Sequence, residues 1–314
     1  MCSYRPFTKV HTYFDKITKS VGLYSMPLYF PKDDIDNKVI TIVPENNKGF
    51  GLWVRNILPN IGSLYGSDNQ LPLKIPSQFK PEENYEKTIV RRCENLGHHV
   101  GRDGISDWIL KKSMEKYTIK VTKANLFHYI YGFLHSPCYC EKYAETLTKQ
   151  APSIPLVKED SFWQYAKIGK ELVDIHLDYE NQPKLHEVEV SGEEHGNFTV
   201  RKMQFAKEDK SSIKFNDDIT ISNIPAKAYD YLITDKSAIW WVMNQYEATI
   251  GNDKKYRNRK QSAHRKDEKD IPNDPNIYAQ EIGNPRYILD LLLSVITLSV
   301  KTLELVEQLP KDIE

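Results

Sequence analysis

Between residues 105 and 180 the chain repeats one arrangement: a residue able to cap a helix, then an apolar stripe at helical spacing. No other feature limits the fold as strongly. Ile105 to Tyr117 is a first amphipathic segment. Thr122 can cap a second, with Leu126, Tyr129, Ile130 and Phe133 on one stripe. Ser136-Pro137 reads as N-cap and first-turn proline of a third, with Tyr139, Tyr143 and Leu147 inward. Asp160 can cap a fourth, along which Phe162, Ala166, Gly169, Val173 and His176 recur.

The flanks read differently. Residues 1 to 75 are β-rich: Val39 to Val43 is a β-branched run closed by Pro44 and the turn Asn46-Asn47-Lys48-Gly49, and Phe50 to Leu58 is a second strand. Residues 76 to 104, broken by Pro76, Pro81, Gly97, Gly101 and Gly104, form a connecting loop. Past the helices, Phe198 to Phe205 and Ile213 to Ile221 are expected as strands, the second interrupted at Asn216-Asp217-Asp218. Pro225 to Ile233 and Ser237 to Gln245 are expected as short helices. Asn284 and Pro285 open a long helix, apolar on most faces and hence buried, that Pro310 stops. The expected class is therefore α+β. A β-rich lobe covers residues 1–104, and a mixed, largely helical lobe covers 105–314 and ends in the long buried helix.

Composition restricts function mainly by exclusion. Lys+Arg and Asp+Glu both number 43, whereas an isolated nucleic-acid module is usually basic, so any such contact must come from local patches. Four cysteines in 314 residues make no disulfide framework, and no signal peptide is visible, which reads as a reduced, cytoplasmic chain. The longest apolar run, Tyr287 to Val300, contains Asp290 and falls short of the roughly 20 residues that span a bilayer. No phosphate-binding G-x-x-x-x-G-K-[ST] loop and no G-x-G-x-x-G turn occurs, which argues against nucleotide or dinucleotide chemistry in this chain.

The remaining motifs are weak individually. Cys138-x-Cys140 has the wrong spacing for a zinc pair and no second pair. His98-His99, near Asp103 and Asp107, reads as a solvated loop, and His176 as a core histidine. Glu187, Glu189, Glu193 and Glu194, with His186 and His195, read as a solvated strand and turn. Asn284-Pro285-Arg286-Tyr287 superficially resembles the Asn-Pro-Pro-Tyr motif of amino-methyltransferases, but its Arg and its setting favour a helix cap. The densest charge lies in the segment 251–270, where Lys254, Lys255, Arg257, Arg259, Lys260, Arg265, Lys266 and Lys269 face only Asp267 and Glu268. Such a loop can neutralise phosphates or simply be solvated. Arg5, Lys9, Arg55, Arg91, Arg92 and Arg102 are smaller basic points.

The order of several phrases adds a family resemblance. Ser3-Tyr4-Arg5-Pro6-Phe7 with Tyr13-Phe14-Asp15 resembles the segment just after the methyltransferase domain of type ISP restriction–modification enzymes. Phe127-His128-Tyr129-Ile130-Tyr131-Gly132-Phe133-Leu134-His135-Ser136-Pro137 is similar to the most distinctive phrase of their C-terminal specificity region. Tyr139, Glu141-Lys142 and Tyr143-Ala144 continue it. Ile154-Pro155, Phe162-Trp163, Asp174 to Glu180, Asn273-Asp274-Pro275-Asn276 and Gly283 to Leu291 follow in order. The resemblance implies a module that binds double-stranded DNA and chooses the sequence modified and cut. Its partners would be an adenine-N6 methyltransferase and an ATPase-nuclease on a preceding domain or partner chain. S-adenosylmethionine, ATP and Mg would be used there, and no cofactor would be held in this chain. The DNA-contacting residues then expected are Arg5, Arg55, Lys254, Lys255, Arg257, Arg259, Lys260, Arg265 and Lys266. A rival expectation is a fragment of a split gene without activity of its own. Two departures from the family are the length and basicity of 251–270, and the cysteines at positions 138 and 140, which are commonly charged.

Overall fold

A computed structural model describes residues 2–10, 37–46, 49–59, 69–73, 104–147, 152–206, 208, 210–248 and 274–314. Both sheets and helices are present, so the α+β expectation holds. The chain groups into two compact units. The first holds residues 1–178, 232–236 and 301–314, and the second holds 179–231 and 237–300.

In the first unit, β1 (Cys2–Arg5) pairs antiparallel with β2 (Thr8–Val10) and parallel with β5 (Leu58–Pro59). The β-branched run forms β3 (Val39–Asn46), which sits between β4 (Gly49–Arg55) and β6 (Asn69–Pro72), antiparallel to both. The second expected strand thus ends at Arg55, and Leu58–Pro59 joins another sheet. Residues 74–103 lie outside the described residues.

The helices follow as α1 (Asp107–Lys116), α2 (Lys123–Leu134), α3 (Pro137–Lys142), α4 (Ala144–Leu147) and α5 (Glu159–Leu177). Thr122 and Asn125 form a reciprocal capping box at α2: the Asn125 N–H donates to Thr122 Oγ1 at 3.1 Å, and the Thr122 N–H donates to Asn125 Oδ1 at 3.0 Å. Ser136 caps α3 with Pro137 in its first turn, as expected. The expected third helix divides, because Tyr143 leaves helical geometry as the C-cap of α3 before α4 begins. Helix α5 starts earlier than Asp160. Lys158 is its N-cap and makes no side-chain cap bond, while Glu159 and Asp160 lie in the first turn and complement the helix dipole.

The core of this unit joins Ile40, Ile42, Leu52 and Val54 of the sheet to the inward faces of α2 and α5. The two helices cross closely at two glycines. A Cβ on Gly169 would collide with the His128 carbonyl, and one on Gly132 would collide with the Tyr165 carbonyl. Tyr117, Tyr129, Phe133, Tyr139, Phe162 and Tyr165 pack as one aromatic body with ring centroids 4.5–6.1 Å apart along its contacts. Their hydroxyls donate outward to main-chain carbonyls: Tyr117 to Val157 (2.9 Å), Tyr129 to Pro155 (2.5 Å), Tyr139 to Ser153 (2.8 Å) and Tyr165 to Pro310 (2.6 Å). Three of them therefore pin 153–157, a stretch without regular structure. Burial pushes the Tyr139 phenol up to about 12 and raises those of Tyr117, Tyr129 and Tyr165.

His176, expected in the core, is fully buried. Its Nδ1 is hydrogen-bonded to the Tyr131 hydroxyl at 2.6 Å and its Nε2 to the Thr302 hydroxyl at 2.9 Å, and its ring stacks on Trp53 at 5.0 Å. His135 lies 5.6 Å away, ring to ring, bonded to the Tyr131 carbonyl. Burial lowers the pKa of both imidazoles, that of His135 to about 4.

In the second unit, β7 (Glu189–Ser191), β8 (Gln204–Phe205), β9 (Ile213–Lys214) and β10 (Thr220–Ser222) form a sheet in the order β7-β10-β9-β8. The strand expected from Phe198 pairs only at its end. Asn276 replaces the ladder upstream: its side chain accepts from the Val200 N–H and donates to the Val200 carbonyl, both at 2.9 Å. A 3₁₀ turn (Ala226–Tyr229) stands where a short α-helix was expected, and Leu232–Ile233, which belongs to the first unit, is extended. The short helix expected from Ser237 to Gln245 is present as α6 (Ala238–Gln245), with Ser237 as its N-cap. Helices α7 (Ile277–Glu281) and α8 (Tyr287–Val306) close the chain. Asn284 Oδ1 accepts from the Arg286 N–H at 3.1 Å, closing a turn just ahead of Tyr287, where α8 begins. Along α8, Ser294 and Thr297 donate to the Gln182 and Pro183 carbonyls, and Ile288, Leu289 and Leu291 to Ser299 are buried, as expected for this helix, while Asp290 is half-buried.

Candidate nucleic-acid interface

The expected basic contacts fall into three groups. Lys254, Lys255, Arg257, Arg259, Lys260, Arg265 and Lys266 lie outside the described residues, as do Arg91, Arg92 and Arg102. Arg5 ends β1 opposite Thr8, but its side chain also lies outside them. Arg55 is placed inside the first unit. It is 3% exposed, and Nη1 donates to Thr41 Oγ1 across the β3–β4 pair at 2.7 Å. A guanidinium so enclosed helps hold the sheet and presents no face to a phosphate.

The second unit shows a surface that sequence reading missed. Antiparallel register sets residues in rows across its four strands. One row is apolar: Ile221 and Ile213 at its centre are fully buried, Val190 is half-buried and Phe205 at the edge is exposed. The opposite row is polar: Ser191, Thr220, Lys214 and Gln204, all exposed except the half-buried Thr220. Two residues along the strands, Ser222 and Glu189 extend that face.

Local chemistry fixes this sheet. Asn216 Oδ1 accepts from the Asp218 and Ile219 N–H groups at 3.0 and 2.7 Å, closing the β9–β10 turn. Its Nδ2 donates to the Asn197 and Thr199 carbonyls, tying the turn to the neighbouring segment. Gly192, at φ +86°, passes so close to the Asp218 carbonyl that a Cβ would strike it. Beside β8, the Lys210 ammonium lies over the rings of Phe205 (5.5 Å) and Tyr229 (5.9 Å), and the Tyr229 hydroxyl donates to the Lys210 carbonyl at 2.8 Å. Lys210 has a φ of +59°, so its backbone is held in the left-handed region by these contacts. Phe205 remains 38% exposed.

Other motifs resolve structurally. Cys138 and Cys140 are free thiols, and the Cys140 Sγ lies 3.5 Å from the Leu134 carbonyl. In the acidic stretch Glu193 pairs with Arg286, whose guanidinium also bonds Asp290 at 2.7 Å. Tyr287, the last residue of the Asn-Pro-Arg-Tyr phrase, is buried with its hydroxyl on Glu180 at 2.7 Å. His98-His99 lies outside the described residues. Among the described residues no cluster of three or more His, Cys, Asp or Glu side chains could hold a metal ion, and no helix is long and apolar enough to cross a membrane.

Comparison with known proteins places the sheet and helices in a family. The chain is similar to the ATP-dependent Type ISP restriction-modification enzyme LlaBIII bound to DNA, at 33% identity and a TM-score of 0.77, over 98% of this chain and 18% of that one. It is similar to a nuclease-deletion mutant of the Type ISP enzyme LlaGI in complex with a DNA substrate mimic, at 31% identity and a TM-score of 0.74, over 99% and 24%. It also resembles DrdV in a DNA complex, at 25% identity and a TM-score of 0.74, over 98% and 28%. The chain therefore spans between about a fifth and just over a quarter of these relatives. No curated protein sequence matches it. The sequence model of the Type ISP C-terminal specificity domain matches residues 1–291, and the chain belongs to that family.

Proposed function

We propose that this chain is the sequence-specific double-stranded DNA recognition module of a restriction–modification system. The match of the specificity-domain family over residues 1–291 carries the reading. It is supported by the DNA present in all three solved relatives described above. The module directs an adenine-N6 methyltransferase and an ATP-dependent nuclease, located on a preceding domain or on a partner chain. S-adenosylmethionine, ATP and Mg are used there.

Phosphate contacts come from Arg5 and from Lys254, Lys255, Arg257, Arg259, Lys260, Arg265 and Lys266, because side chains of this type neutralise phosphates and fix register. Arg55, being enclosed, contributes scaffold and not contact. The zero net charge counts mildly against nucleic-acid binding and does not exclude it, because local basic patches matter more than the sum.

Competition binding tests the reading. The purified chain should bind duplex DNA with an affinity that falls as salt rises, and prefer one sequence over random competitor. Equal, salt-independent affinity for all duplexes contradicts it. Replacing Lys254, Lys255, Arg257 and Arg259 by Ala should reduce the slope of log K against log salt by about 0.9 for each phosphate no longer neutralised. The division of labour is tested with labelled S-adenosylmethionine: methyl transfer is expected only when the methyltransferase part is supplied.

A further inference from the structure

We infer that the β8–β9 ribbon of the second unit reads base edges in the major groove, with Gln204 and Lys214 as specificity-determining side chains and Lys210 as the phosphate anchor beside them. The inference rests on the proposed function and names the surface within it. The occupant is duplex DNA.

Three observations carry it. Gln204 and Lys214 are directly opposed across the β8–β9 pair, so their Cβ atoms stand about 5 Å apart on one face, and both are exposed. Gln pairs bidentately with adenine, and Lys donates to the guanine O6 and N7 edge. Second, β8 is the edge of its sheet among the described residues. A two-stranded ribbon at an edge can enter a major groove about 12 Å wide, which a sheet interior cannot. Third, Lys210 is pre-positioned next to that edge. The Phe205 and Tyr229 rings lie beneath its ammonium, and its own carbonyl is held by the Tyr229 hydroxyl. An exposed lysine normally loses rotamer freedom on contacting a phosphate, and this one has already been restricted.

The nearby acids are compatible with this role. Lys214 pairs with Asp217 at 3.1 Å, but the two side chains are 49% and 97% exposed, so the pair is weak and readily exchanged for a base edge. Glu189, on the same face, can accept from cytosine N4.

The test is selection of bound sequences from a random duplex pool by the purified chain and its variants. The wild-type chain should enrich a motif. Gln204→Ala should lower the preference for an adenine at one position by about ten-fold, and Lys214→Ala should do the same for a guanine. Lys210→Ala should keep the motif and reduce the salt slope by about 0.9. Lys167→Ala, an exposed lysine of α5, should change neither. Circular dichroism and thermal melting report whether each variant is folded. Should Gln204→Ala disturb the edge strand, Gln204→Glu keeps shape and length and should lose the same preference. If folded Gln204 and Lys214 variants keep the full motif with Lys210→Ala at wild-type slope, this inference is wrong while DNA recognition by the chain stands. If the wild-type chain enriches no sequence and binds no duplex, both fail.

Discussion

The helical core of the first unit and the sheet of the second use polar side chains in opposite ways. Around α2 and α5, every ring hydroxyl of the tyrosine cluster donates to a carbonyl of the same unit. In the second unit, the row Ser191, Thr220, Lys214 and Gln204 points away from the buried isoleucines. Polar groups paired internally define a shape, whereas polar groups left on a regular face are available to a ligand. The first arrangement is that of a scaffold, and the second is the surface proposed above for recognition.

The largest expected effect breaks the scaffold. Gly169→Ala drives a methyl into the His128 carbonyl at the α2–α5 crossing, where backbone must move, and should cost about 3 kcal/mol or more by chemical denaturation. Gly196→Ala, in the second unit, meets open space and only the strain of φ +67°, and should cost about 1 kcal/mol. Equal losses would mean that the helix crossing is not the tight element described.

Acid should act next, through the buried imidazoles. His135 has its pKa lowered to about 4 by burial, so between the ordinary 6.5 and 4 the unfolded chain binds a proton that the folded chain refuses. Stability is complete above pH 6.5 and falls as pH drops toward 4, by roughly 3 kcal/mol from this residue. His176 shifts in the same direction, and so does His128, to about 4, chiefly through burial and then the nearby Lys38 charge. Denaturant melts from pH 7.5 to 4.5 measure this, and a flat profile contradicts it.

Smaller effects sharpen the comparison. Tyr129→Phe leaves the Pro155 carbonyl without its phenol donor and should cost about 1 kcal/mol, with faster hydrogen exchange across 153–157. Thr220→Val on the polar sheet row should change stability by no more than about 0.5 kcal/mol.

Much of the scaffold was legible because helix starts are local events. Thr122 and Ser136 act as caps as their side chains predict, and His176 lies in the core. What escaped depends on distant partners. Asn276, 76 residues away, occupies both backbone groups of Val200 and prevents the strand expected from Phe198. Arg55 reads as a surface cation until β3 places Thr41 beside it. The polar row exists only once four strands are in register, and none of its members stands out in the linear sequence. Tyr117, Tyr129, Tyr139 and Tyr165 fit a binding surface or a core equally well by residue type, and only the carbonyls they meet decide for the core.

Hydrogen exchange of the chain, with and without the duplex it selects, tests this division of labour most directly. The account predicts added protection at 189–191 and 204–214, and within 251–270, with α2 and α5 unchanged. Exchange at 204–214 that is unaltered by bound duplex would contradict it.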